Sequence, residues 1–177
     1  MGMQQIILLI INILGGIVVI GSYVFGLNAQ GGGANVLWGG VPANIRPVYT
    51  VSMILSALGY FAFLYYIFFR LDPAQISIAG VSGFTLFYVI FLLILIPSAL
   101  WMPLTNVYVG NPGTGMWILV RTVLALVGLA SIALLWALLT LHGKVPGVSY
   151  WLAVVGSGYF AFHTAILDAI VWAALFK

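Results

Sequence analysis

Charge is nearly absent from this chain, and cysteine is wholly absent. Of 177 residues, five are Lys or Arg and two are Asp or Glu, for a formal net charge of +3. Without a thiol there is no disulfide, no thiolate zinc or iron–sulfur ligation and no Cys nucleophile. The cations Arg46, Arg70, Arg121, Lys144 and Lys177 stand scattered against Asp72 and Asp168. They are too sparse to form a nucleic-acid face or a polybasic lipid-binding run. What is present is apolar: 64% of residues are hydrophobic and 4% charged, with a mean hydropathy of +1.25, whereas soluble domains carry roughly a quarter charged residues. That balance reads as an integral membrane protein, in contact with membrane lipid and with no nucleic-acid partner.

Apolar runs close to the ~20 residues needed to cross a bilayer occur at about 6–27, 48–69, 80–105, 115–141 and 149–176. The expected fold class is an all-α membrane protein, a bundle of five transmembrane helices forming one transmembrane domain over residues 1–177. No β-sheet is expected, because backbone groups in hydrocarbon must bond within their own segment and the runs do not alternate as barrel strands do. The first run does not read as a signal peptide: it is not preceded by Lys or Arg, it exceeds an h-region in length, and no small-x-small cleavage site follows. The connections are short turns except for residues 28–47, rich in Gly31, Gly32, Gly33, Gly39, Gly40, Pro42 and Pro47. This segment suits a lid, and its glycines lack the GxGxxG spacing and strand-to-helix setting of a phosphate cradle.

Two of the charged residues, Arg121 and Asp168, fall inside the fourth and fifth runs. An ionised group in hydrocarbon costs about 2.5–3.5 kcal/mol on insertion scales, so each calls for a partner or a wet cavity. Both lie roughly 9–12 Å below the same surface at 1.5 Å per residue, so neighbouring antiparallel helices can pair them. Either a structural ion pair or a ligand site follows, unless the arginine snorkels to the headgroups alone. Trp38 and Arg46 from the long loop, and Trp101, Pro103 and Asn106 from the third span, converge on that end. An interfacial aromatic belt gives the same pattern without a ligand. Gly59 and Ser52-x-x-x-Ser56 in the second span and Gly156 to Gly158 in the fifth point to close helix packing, within the bundle or in a homodimer.

Three stretches resemble the TspO/MBR family, the translocator proteins or tryptophan-rich sensory proteins. The second span opens Pro47-Val48-Tyr49-Thr50, near the family's Pro-Val-Trp-Thr; the third ends Ser98-Ala99-Leu100-Trp101-Met102-Pro103-Leu104, near Asn-x-x-Trp-Ser-Pro-Leu; the fifth carries Leu167-Asp168-Ala169-Ile170-Val171-Trp172, near Leu-Asn-x-x-x-Trp. The chain departs from the family in lacking Trp-x-Pro-Pro in the loop, and in having Ser98, His163 and Asp168 where the family has Asn, an aromatic and Asn. The resemblance implies a cavity between the helices, under the first loop, for a tetrapyrrole such as haem or protoporphyrin, or for a sterol-like lipid. At matching positions stand Trp38 and Pro42 in the loop, Tyr49, Trp101, Phe160, His163 and Trp172. With Arg46 or Arg121 as the cation for propionates and Asp168 in the cavity wall, these form the expected ligand-binding set.

No obligatory cofactor is expected. His142 lies near the opposite surface from His163, which disfavours bis-histidine haem, and zinc fails on ligand count. No catalytic constellation is legible, so the chain does not read as an enzyme: no Ser-His-Asp arrangement is evident, and His163 and Asp168, five apart, fall about 140° apart on an α-helix. Two functions follow from these readings. One is a TspO-like binder of a hydrophobic ligand, acting as carrier or sensor. The other is an accessory, non-catalytic subunit of a larger respiratory or photosynthetic membrane complex.

Overall fold

The computed structural model describes residues 2–29 and 34–176, so the expectations resting on Gly31, Gly32, Gly33 and Lys177 lie outside the described residues. Five helices are long and apolar enough to cross a membrane: Met3–Ala29, Arg46–Phe69, Gly83–Gly110, Thr114–Leu139 and Val148–Leu175. The shortest has 24 residues and the longest 28, or about 36–42 Å at 1.5 Å per residue, against a hydrocarbon core of ~30 Å. The first, second, third and fourth spans are α1 (Met3–Ala29), α3 (Arg46–Phe69), α4 (Gly83–Gly110) and α5 (Thr114–Leu139), and the long loop contains a short helix, α2 (Ala34–Trp38). The last span is composite: α6 (Val148–Ala161), a π-helix (Phe162–Trp172) and α7 (Ala173–Leu175).

Local chemistry explains the ends. Pro47 sits in the first turn of α3, where its missing N–H leaves no bond unmade. Contrary to the expectation of no β-structure, a small antiparallel sheet joins the loops after α3 and α5. It comprises β1 (Ser77–Ile78), β2 (Val81–Ser82) and β3 (Leu141–His142), in the order β2-β1-β3. Ser77 pairs with both Ser82 and His142. The two-residue turn between β1 and β2 has φ 49° at Ala79 and 80° at Gly80, the left-handed pair that a tight hairpin requires. These loops lie beyond the helix ends, where free backbone groups find partners in one another, and Ile78 and Leu141 are buried beneath them.

The long helices form a ring in which α1 packs on α4, α4 on α5, α5 on both α6 and the π-helix, and α6 on α3. Small residues set the tightest of these contacts. A Cβ placed on Gly59 would lie 2.5 Å from the Gly156 carbonyl oxygen, so α3 and α6 meet backbone to backbone. A Cβ on Gly128 of α5 would come within 2.8 Å of Ala165 Cα in the π-helix. Ser52 and Ser56 are buried inside the bundle, so this small-residue face serves packing within the chain.

The ring is closed between α1 and α3 by side chains near the sheet end. Gln5 Nε2 donates to the carbonyls of Phe68 at 2.9 Å and Leu71 at 3.2 Å, and the Tyr60 hydroxyl donates to Asn12 Oδ1 at 2.6 Å. Two apolar clusters fill the interior. One, around Phe63, Tyr66, Phe87, Phe91 and Leu134, occupies the sheet half. The other, around Val41, Tyr49, Leu124, Trp172 and Phe176, lies under the long loop.

Candidate functional site

The last span decides which polar residues meet. In an α-helix His163 and Asp168 would diverge, as the sequence reading expects. In the π-helix the backbone bonds run from i to i+5, so residues five apart stand almost one above the other. His163 Nε2 accordingly lies 3.6 Å from Asp168 Oδ2, and His163 is the carboxylate's ion-pair partner among the described residues. At 3.6 Å this is an electrostatic contact rather than a hydrogen bond.

His163 is buried, and its other ring nitrogen, Nδ1, lies 2.9 Å from Ser52 Oγ on α3. The Tyr159 hydroxyl donates to the same Ser52 oxygen at 3.1 Å. One assignment of protons satisfies the whole chain. Tyr159 donates to Ser52, Ser52 donates to Nδ1, and the neutral imidazole turns its Nε2 hydrogen toward Asp168. A Ser-His-Asp line therefore exists in space although none is evident in the sequence. Ser52 Oγ is buried and already holds Tyr159's hydrogen, which makes it a hydrogen-bond link rather than a free nucleophile. Among the described residues, no group of three His, Cys, Asp or Glu is placed to hold a metal ion.

Arg121 does not meet Asp168. The face of α5 turned to the interior carries Val120, Val123, Leu124, Val127 and Gly128, at helical spacing. The residue after Val120 is rotated outward by about 100°. Arg121 is exposed and makes no ion pair among the described residues, the geometry of an arginine that snorkels.

Aromatic side chains wall the region around Asp168. Tyr23 of α1 and Tyr49 of α3 are both within electrostatic reach of the carboxylate, and the Tyr49 hydroxyl donates to the Leu167 carbonyl at 2.9 Å. Trp101 of α4 lies edge-on to Tyr23 at 5.7 Å and to Trp172 at 5.4 Å. Its buried indole N–H has no hydrogen-bond acceptor among the described residues. One third of the Asp168 side chain, 33%, is accessible, so the carboxylate is sheltered but not sealed.

The long loop is docked over this end. Trp172 Nε1 donates to the Leu37 carbonyl at 3.1 Å, and Phe176 packs beneath Gly39, whose φ of 50° and close contact leave no room for a side chain. Trp38 meets Tyr49 edge-on at 5.8 Å. Arg46 Nε donates to the Val41 carbonyl at 3.1 Å, its Nη1 donates to Asn35 Oδ1 at 3.2 Å, and its guanidinium lies 5.8 Å from the Trp38 ring centre. The space under the loop is thus occupied by the chain's own rings, with Trp117 stacked on Phe176 at 5.7 Å. Two clefts, one lined by Gln5, Leu71 and Asp72 and the other by Leu141, His142 and Lys144, open at the sheet end.

Of the sequence-derived set, Trp38, Arg46, Tyr49, Trp101, His163, Asp168 and Trp172 gather at one end. Phe160 does not join them: it packs on Tyr60 and Phe63, each at 5.7 Å, in the other cluster. Arg121 faces outward. Sequence reasoning missed Tyr23, Tyr159 and the polar role of Ser52. The i, i+3 spacing of Tyr49 and Ser52 and the i, i+4 spacing of Tyr159 and His163 place each pair on one helix face, but nothing local says that the two faces meet. No family model, curated protein or solved structure matches this chain.

Proposed function

We propose that the chain is an integral membrane protein that binds a hydrophobic small molecule at the Asp168 end of its bundle, as a carrier or sensor. The observation that carries this reading is the Tyr159–Ser52–His163–Asp168 chain, assembled by a π-helix inside an apolar span. Ionisable residues at membrane depth mark functional sites by default, and π-helical turns occur frequently at such sites. The surrounding rings offer flat apolar faces, and the unpartnered Trp101 N–H offers a donor to a ligand oxygen. The docked loop supports a lid that must lift or shift to admit a ligand. The resemblance to TspO/MBR proteins nominates tetrapyrroles such as protoporphyrin or haem, and sterol-like lipids.

The test is a titration of detergent-purified protein with protoporphyrin IX and haem, following Trp quenching and the Soret band. Saturable binding, weakened at least tenfold by Trp101→Ala, is the expected result. Absence of saturable binding removes this ligand class, and binding indifferent to that substitution moves the site elsewhere.

One observation favours the second reading, an accessory subunit. α1 is the least buried of the five spans, and Gly16 and Gly21 on it face open space, so another protein's helix fits as readily as lipid. Co-purification of a stoichiometric partner in mild detergent, with loss of stability on its removal, is the result this reading requires.

A further inference from the structure

The charge of the ligand can be read from what does and does not surround Asp168, given the reading that this end of the bundle is the ligand site. Neither basic group that the sequence offered as a counter-ion meets Asp168. Arg121 is exposed on the far face of α5. Arg46 is held by the Val41 carbonyl, the Asn35 amide oxygen and the Trp38 ring. His163, at 3.6 Å, is too distant for a tight charge-assisted bond. Its Nδ1 contact with Ser52 is satisfied by the neutral tautomer. A carboxylate in low dielectric with no full counter-charge among the described residues attracts a cation and repels an anion.

The walls agree with that sign. Tyr and Trp faces attract organic cations, the more so when water is excluded, and Tyr23, Tyr49, Trp101 and Trp172 supply four such rings.

We propose that this site takes a lipophilic organic cation, which seats its positive centre against Asp168. A tetrapyrrole bearing free carboxylates is the wrong charge for the floor of this site and fits only with its propionates turned to the Arg46 end.

Tetraphenylphosphonium and tetraphenylborate have the same shape and opposite charge, and they separate the possibilities. Each is titrated into the purified full-length protein by Trp quenching, with Asp168→Asn and Asp168→Glu alongside. The expected result is saturable tetraphenylphosphonium binding that falls at least tenfold in Asp168→Asn and returns in Asp168→Glu, with tetraphenylborate binding unimproved by the aspartate. Should Asp168→Asn fail to fold, competition in the wild-type protein decides: a bound fluorescent lipophilic cation must be displaced by tetraphenylphosphonium and not by tetraphenylborate. Equal displacement by both ions, or phosphonium binding unchanged in Asp168→Asn, overturns the proposal. Porphyrin binding that depends on Trp101, without phosphonium binding, overturns the cation assignment and leaves the ligand site standing. Loss of both removes the site as well.

Discussion

At the scale of single residues, the pairing of Asp168 is the decisive fact. Depth along the sequence placed Arg121 and Asp168 at one level, but level is not azimuth, and α5 turns Arg121 away while the π-helix turns His163 inward. Double-mutant cycles in thermal stability distinguish the two pairs. Arg121→Ala and Asp168→Asn are expected to be additive within about 0.5 kcal/mol, whereas His163→Gln and Asp168→Asn should couple by about 0.5–3 kcal/mol. Coupling in the first cycle, or strict additivity in the second, contradicts the geometry. Ser52 offers an independent check. Replacing it with Ala leaves the Tyr159 hydroxyl and His163 Nδ1 without the partner they share, a loss of about 1–3 kcal/mol for buried polar groups. An unchanged unfolding midpoint for Ser52→Ala would show that the chain of hydrogen bonds does not form in the folded protein.

At the scale of elements, the contact between α3 and α6 shows why small residues matter more here than the hydrophobic pattern does. Helices that are apolar all round, as these are, gain little from a hydrophobic stripe, and their association depends on how closely the backbones approach. Gly59 and Gly156 face each other with no space for a methyl group. Gly59→Ala and Gly156→Ala should each lower the unfolding temperature in detergent, because the clash is with backbone and not with a side chain that can swing aside. Gly16→Ala and Gly21→Ala, which meet nothing within 4 Å, serve as controls and should leave it unchanged or slightly raised. The π-helix belongs to the same scale. Local composition of Phe162–Trp172 does not distinguish it from the α-helical stretch before it. What distinguishes it is its surroundings: Ala165 against Gly128, Leu167 bonded to Tyr49, and Trp172 bonded to the loop.

For the whole molecule, the ring order and the sheet determine which loops share a side. The pairing of Ser77 with His142 fixes the loops after α3 and α5 at one end, and Trp172 with Leu37 fixes the long loop and the C-terminal turn at the other. The absence of native cysteine makes this testable without background. Single Cys replacements at Asn44 and Asn111 should be modified by an impermeant maleimide from one face of a sealed vesicle, and those at Asp72 and Lys144 from the opposite face. Labelling of Asn44 and Asp72 from the same side would break the five-span arrangement.

The sequence by itself determined the class, the number of spans and the position of every long connection. Those properties are local: a bilayer requires about 20 apolar residues per crossing, with every backbone group bonded inside its own segment, and that requirement is legible in composition and run length alone. It also placed Trp38, Tyr49, Trp101, Asp168 and Trp172 at a common depth, since depth is a count of residues. Only the tertiary structure decided which residues touch. A helix that is apolar on every side carries no stripe to say which face turns inward, and one change of backbone hydrogen-bond register, from i+4 to i+5, brought His163 onto Asp168 where an ordinary helix would have kept them apart.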